Sequence, residues 1–354
     1  MASSKHNKEF WSGRDVLCTG GAGMIGSHLV EKLVELDARV TVADSLIRGK
    51  LGFLNNVKSK IRFDKANLHF LPGCISAVEG QNVIFNLAAR VTGIGFNIKH
   101  QSIMFEKNLP LQMWPLIAAA HCESVERFIQ VSTACVYPSD APYPTPESVL
   151  DWGRDPAIRG PEDTNRGYGW AKRMGEFLGT ELHLAKRLKV WIVRPSNCYG
   201  PRDDFNLETC HVIPALIVRC MLGEDPLVVW GSGNQQRVFI YVKDLVDGMI
   251  SLAEKEPTGV PVNIGSEDEI SIKDLAKKIV DLCDQKVDIK FKTDMPDGYA
   301  RRLPDLSRLR EYVNNWLPET SLDEGLKETI RYYQRYISHR VTDRHMFDNR
   351  PEGQ

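Results

Sequence analysis

Apolar residues in the first half of the chain gather into short unbroken runs. Between the runs they recur every three or four positions. The runs are DVLCTG, RVTVADS, NVIFNLAA, RFIQVSTA and VWIVRPSN, and each reads as a buried strand. Helical spacing appears in GMIGSHLVEKLVELD, where Ile25, Leu29, Leu33 and Val34 share a face. It appears again in SIMFEKNLPLQMWPLIAAAHC, with Pro110 and Pro115 as local complications, and from Tyr168 to Leu188. Strands alternating with helices predict a parallel sheet covered on both faces.

The pattern changes after Asn197. A loop-rich stretch surrounds one helix, HVIPALIVRCMLG. VFIYVKDLVDGMISLAE then reads as a strand running into a helix, and VPVNIG as a short strand. SIKDLAKKIVDLC is an amphipathic helix, VDIKFK a strand, and SLDEGLKETIRYYQRYI a last helix. The expected architecture is an α/β, Rossmann-type, doubly wound parallel sheet with a smaller α/β C-terminal domain. Residues 12–197 with 236–265 form the first, and 198–235 with 266–340 the second. Residues 1–11 and 341–354 read as polar tails.

A chain of 354 residues suits two such domains. A formal net charge of -1 gives no electrostatic footprint for nucleic acid or a membrane surface. No apolar run reaches the roughly 20 residues of a spanning helix, and MASSKHNKEFW has no apolar signal core. The expectation is a cytoplasmic protein. Its eight cysteines, Cys18, Cys74, Cys122, Cys135, Cys198, Cys210, Cys220 and Cys283, form no C-x-x-C pair. Neither a metal site nor disulfides are expected.

Candidate chemistry starts at TGGAGMIG, Thr19 to Gly26, between the first strand and first helix. Glycines there let the backbone turn tightly and approach a pyrophosphate, which the helix N-terminus then attracts. Asp44 closes the second strand. A carboxylate there bonds ribose hydroxyls and repels a 2′-phosphate, favouring NAD over NADP, although nearby Arg48 blunts the preference. A turn residue is the plainer reading of Asp44. Tyr168 and Lys172 lie one helical turn apart, so a lysine ammonium is placed to lower the tyrosine pKa from about 10. Cys135, two residues beyond Thr133, has two open readings: a small hydrophobe filling a strand end, or an acid/base group.

TGGAGMIG, NLAA, STACVYP and YGWAK together resemble the extended short-chain dehydrogenase/reductase family, over nearly the whole chain. RPSNCYGP, VFIYVKDL and RRLPDLSRL extend the likeness. The resemblance implies a tightly bound, recycled NAD, held by Gly20, Gly23, Met24, Ile25, Asp44, Arg48 and Ala88 with Tyr168 and Lys172. It implies a nucleotide-sugar substrate and a homodimer packed through two helices per subunit. It assigns Thr133, Tyr168 and Lys172 to oxidation of a sugar hydroxyl. One departure is PGCIS, with Cys74, where many members carry an acidic residue after the third strand, near adenine.

Cysteine in this position is similar to GDP-L-fucose synthases and GDP-mannose 3,5-epimerases, in which it exchanges protons at sugar carbons 3 and 5. YGPRDDFNLETCHVIPALIVR resembles the former, and the match makes His211 the partner of Cys135. A solvent-facing helix-end residue is the plainer reading of His211, and Cys210 beside it reads as structural. The resemblance gives Asn197 a sugar or first-phosphate contact, Arg237 and Arg302 a diphosphate, and Trp230 a ring-stacking face. A core tryptophan and surface salt bridges are the alternatives, and for Arg219 the diphosphate and the salt bridge stand level. The function implied is a redox-neutral epimerase of the GDP-mannose 3,5-epimerase type. A GDP-L-fucose synthase-like epimerase/reductase using NADPH, a dehydratase or C4 epimerase with an idle Cys135, and a non-catalytic dinucleotide sensor remain open.

Overall fold

The computed structural model describes residues 6–150, 160–293 and 301–338. The central sheet has seven strands: β1 (Asp15–Thr19), β2 (Arg39–Asp44), β3 (Ile61–Lys65), β4 (Val83–Asn86), β5 (Arg127–Val131), β6 (Val190–Pro195) and β10 (Pro261–Ile264). They run parallel in the order β10-β6-β5-β4-β1-β2-β3. This is the doubly wound Rossmann order with one added strand. Strands β4 and β6 are buried at every position, which is why they read as unbroken apolar runs. The order reverses between β1 and β4, and the crevice beyond their C-terminal ends is where such sheets take ligands.

One face of the sheet is covered by α2 (Met24–Glu35) and α8 (Val242–Ala253), through Leu29, Leu33, Leu245 and Met249. The other is covered by α3 (Leu71–Val78), α5 (Gln101–Ala120) and α6 (Arg166–Leu184), through Cys74, Leu111, Leu116 and Leu182. Helix α5 runs unbroken through Pro110 and Pro115. Pro115 cannot donate to the Leu111 carbonyl. The Asn86 amide at the end of β4 takes that carbonyl instead, at 3.0 Å. The helix is thereby tied to the crevice.

The C-terminal core is built by α7 (Val212–Met221), α9 (Ile272–Leu282) and α11 (Leu322–Tyr336), through Ile213, Ile217, Leu275, Ile279, Leu326 and Ile330. β7 (Asn197–Tyr199) pairs with β9 (Gln236–Tyr241), which pairs with β11 (Glu269–Ser271). β8 (Leu227–Trp230) pairs with β12 (Ile289–Lys292). Strand β9 was expected with the nucleotide-binding half. Its Ile240 packs in the first core and its Phe239 and Tyr241 in this second one, and α8 carries the chain back to the first. Short helices α4 (Ile94–Lys99) and α10 (Ser307–Tyr312) complete this list with α1 (Lys8–Trp11).

Helix α1 corrects the N-terminal boundary. Trp11 is fully buried and its indole donates to Glu254 at 2.8 Å, so residues 6–11 are not a polar tail. Residues 341–354 lie outside the described residues. The third strand also corrects the reading of PGCIS. Ala66, Asn67 and Leu68 follow β3, whereas Cys74 sits inside α3, buried, its thiol on the Leu68 carbonyl at 3.3 Å.

Candidate active site

The glycine loop forms a cradle that excludes side chains. Gly20 has φ +66°, and a Cβ at Gly26 would lie 2.3 Å from the Gly20 carbonyl oxygen. Both positions need glycine. Gly23 is the N-cap of α2 and brings no side-chain cap, so the first N–H groups, at Met24 and Ile25, lack that competitor. Thr19 donates to Asn86 at 2.7 Å and accepts from the Ala88 N–H at 3.2 Å, which sets the two strand ends side by side. The buried Asp44 carboxylate accepts one N–H per oxygen, from Ala22 at 3.0 Å and Leu46 at 2.8 Å. Each oxygen keeps a lone pair for a ribose hydroxyl. The cradle, the uncapped helix and this carboxylate fit a dinucleotide. Arg48 lies at the same end, bonded to Asp204 at 2.8 Å.

The reacting groups gather where β5 ends. Thr133 is extended and accepts the Cys135 N–H at 3.2 Å, capping a single turn, Ala134–Val136. That turn lifts Cys135 out of the sheet, and the residue is part-buried. Helix α6 meets it closely: a Cβ at Gly169 would lie 2.9 Å from the Cys135 carbonyl oxygen. Tyr168 is the neighbour of Gly169 on that helix. Lys172 is buried, donates to the Val131 carbonyl at 2.6 Å, and holds its Nζ 5.8 Å from the Tyr168 ring centroid.

The electrostatics correct one expectation. Lys172 was expected to lower the Tyr168 pKa, yet burial raises it, and Cys135 adds to the rise. Burial also pushes Lys172 down to about 7, against the opposing pull of Glu176. Both groups share one desolvated region, where neither charge is favoured. A depressed lysine costs stability fully below its folded pKa, and the cost fades as pH rises from about 7 towards the unfolded value near 10.5. Lys172→Met is therefore expected to raise the thermal midpoint more at pH 6 than at pH 10. Equal shifts at the two pH values would contradict this account.

Beneath the site lies a buried ionic network that pattern reading missed. Glu176 continues the spacing of Tyr168 and Lys172 along α6. It accepts Ser132 at 2.5 Å and Arg194 at 2.9 and 2.7 Å, with Arg173 at 3.2 Å. Arg194 also reaches the Tyr137 hydroxyl at 3.0 Å, which donates to Asn263 at 2.7 Å. The repeat of polar residues four apart in YGWAKRMGE was the available signal. Glu176→Gln leaves two buried guanidinium groups without their carboxylate. It should destabilise the fold by about 3–5 kcal/mol. A denaturant midpoint unchanged from the unsubstituted protein would remove the network's importance.

The substrate-side residues divide. Arg302 pairs with the buried Glu162 and lines a cavity with Ala134, Tyr137, Tyr143 and Ser196, directly beside the Cys135 turn. Asn197 binds the Val238 carbonyl at 3.2 Å, and Arg237, on β9, binds the Gln236 carbonyl at 2.8 Å. Trp230 ends β8 with 47% of its surface exposed, so it is not a core tryptophan. Arg219 binds Glu224 at 2.6 Å and the Val228 carbonyl at 2.6 Å, joining α7 to β8. That is the salt-bridge reading, with the guanidinium turned to its own fold. His211 is the N-cap of α7 and reaches solvent, and desolvation, then Arg48, holds its pKa below the usual value. Burial raises the Cys210 thiol to about 12, as suits a structural residue. Among the described residues, no group of three His, Cys, Asp or Glu side chains could hold a metal ion, and no helix is long and apolar enough to cross a membrane.

Comparison with known proteins accords with this geometry. Residues 16–265 match the NAD dependent epimerase/dehydratase family. A probable GDP-L-fucose synthase 1 of Oryza sativa subsp. japonica is 31% identical over 327 residues, covering 91% of this chain and 92% of its own. UDP-glucuronic acid decarboxylase 3 of Arabidopsis thaliana is 32% identical over 312 residues, covering 88% and 86%. The crystal structure of UDP-glucose 4-epimerase from Thermotoga maritima, with UDP-glucose, superimposes with a TM-score of 0.80 at 26% identity, covering 90% of this chain and 98% of that one.

Proposed function

The chain belongs to the NAD dependent epimerase/dehydratase family, and from that premise we propose that it is a redox-neutral nucleotide-sugar epimerase of the GDP-mannose 3,5-epimerase type. The observation that carries the proposal is Cys135, set by the Thr133 cap against Gly169, the residue that follows Tyr168 on α6. The glycine cradle, the first N–H groups of α2 and Asp44 would hold NAD, which when bound would supply hydride-acceptor chemistry at C4. Thr133 holds the C4 oxygen. Tyr168 exchanges the C4 hydroxyl proton, with Lys172 beside its ring one helical turn away. A C4 ketone acidifies the hydrogens on C3 and C5. One of Cys135 and His211 removes such a proton, and the other delivers one to the opposite face, which inverts the centre.

The second core, 198–235 with 266–340, serves as the nucleotide-sugar half, with Arg302, Arg237, Asn197 and Trp230 on the substrate. Arg219 acts through the shape of α7 and β8. NAD is preferred over NADP because Asp44 occupies the ribose position and Arg48 is engaged elsewhere. Helices α5 and α6 form a homodimer interface: Phe105 and Phe177 are exposed there, beside a groove with Trp170 and Met174. The protein acts in the cytoplasm.

A second reading is a GDP-L-fucose synthase-like epimerase/reductase using NADPH, favoured by the relative from Oryza sativa. One panel separates the two. Purified protein is given GDP-, UDP-, dTDP- and CDP-sugars without added cofactor, then a 4-keto-6-deoxy nucleotide-sugar with NADPH, and products are followed by proton NMR. An epimer of GDP-mannose or a close relative supports the proposal. Turnover confined to a 4-keto sugar, with consumption of NADPH, would replace it by the second reading.

A further inference from the structure

The loop after β2 is folded hard against the glycine cradle. The Lys50 N–H donates to the Ala22 carbonyl at 2.9 Å, and a Cβ at Gly49 would lie 2.8 Å from both Asp44 carboxylate oxygens. Arg48 is thus fixed by its backbone beside the carboxylate that, in the reading above, binds the adenosine ribose. A guanidinium there has the chemistry to clamp a 2′-phosphate through paired, charge-assisted hydrogen bonds. Its side chain is directed elsewhere. The Nη2 group donates to Oδ2 of Asp204 at 2.8 Å, on the loop that follows β7.

Asp204 is held for this purpose by groups other than Arg48. Its Oδ2 accepts Thr209 Oγ1 at 2.6 Å, and its Oδ1 accepts the Asn206 N–H at 3.1 Å. Its own N–H donates to Asp203 Oδ1 at 2.7 Å. The carboxylate is therefore oriented whether or not a guanidinium arrives, and it holds Arg48 at an exposed position, with side chains 35% and 27% exposed.

We propose that Asp204 is a specificity-determining residue for the cofactor. It withholds Arg48 from the ribose 2′-position. The inference rests on the NAD reading and deepens it: Asp44 repels a 2′-phosphate directly, and Asp204 removes the cation that would otherwise compensate. The two act through different atoms and are separable by substitution.

The test is nucleotide binding, read by calorimetry and by quenching of protein fluorescence, with NADH, NADPH, 5′-AMP and 2′,5′-ADP as the ligands. Asp204→Asn keeps an acceptor for the Asn206 N–H and removes the charge that holds Arg48. NADPH and 2′,5′-ADP should bind about tenfold more tightly, as a freed charged donor allows, while NADH and 5′-AMP change far less. Adding Arg48→Leu to Asp204→Asn should abolish the gain. An unchanged NADPH to NADH ratio in Asp204→Asn overturns the proposal, and so does a gain that survives loss of Arg48. The ratio in the unsubstituted protein tests the NAD reading separately. A preference for NADPH there overturns that reading, whereas a preference for NADH with no shift in Asp204→Asn overturns the role of Asp204 alone.

Discussion

Tyr168→Phe is expected to lower turnover by a factor of about 10²–10⁴, the usual contribution of a positioned proton-transfer group. The substitution removes one oxygen and leaves the ring on α6, so the fold has no reason to change. Both the oxidation of C4 and its reversal need a group to accept and return the hydroxyl proton. Burial raises the Tyr168 pKa and lowers that of Lys172 to about 7. Initial rates together with a thermal midpoint check the prediction. A folded variant with undiminished activity would end the role of the phenol.

Cys135→Ser should separate the two halves of the reaction. Serine keeps the backbone N–H that Thr133 accepts, so the turn survives. A hydroxyl is far less acidic than a thiol and exchanges protons poorly near neutral pH. Oxidation at C4 should persist, and the ketone can be trapped by borohydride. Inversion at C3 and C5 should fall by a factor of about 10² or more. Ordinary rates of inversion in this variant would make Cys135 a packing residue and return the chain to the dehydratase or C4 epimerase alternatives.

Both predictions rest on residues that the sequence makes visible, and the reason is geometric. Thr133, Cys135, Tyr168 and Lys172 lie on two local elements, a strand end and one helix face, so short spacings describe them. The same holds for the sheet, whose doubly covered strands leave continuous apolar runs. What stayed hidden depends on distant partners. The continuity of α5 through Pro115 relies on Asn86, a residue on another element. Trp11 looks like part of a charged tail until Glu254 receives its indole. Arg194 sits inside an apolar strand pattern, and only the pairing with Glu176 explains its burial. Strand β3 is half-buried and mixed in polarity, so no run marks it, and PGCIS was placed one element too early. For the arginines, residue type alone does not tell a diphosphate clamp from an internal tie. Arg219 bonds to Glu224 and Arg48 to Asp204, and both contacts are tertiary.

The central claim is proton exchange at carbon beside a transient C4 ketone, and solvent isotope uptake tests it most directly. The purified protein, without added cofactor, is incubated with GDP-mannose and related nucleotide-sugars in deuterated water, and the sugars are analysed by mass and proton NMR. The account predicts deuterium at C3 or C5, with no net consumption of cofactor, and loss of that uptake in Cys135→Ser. Turnover of a nucleotide-sugar with hydrogen retained at both carbons would contradict it.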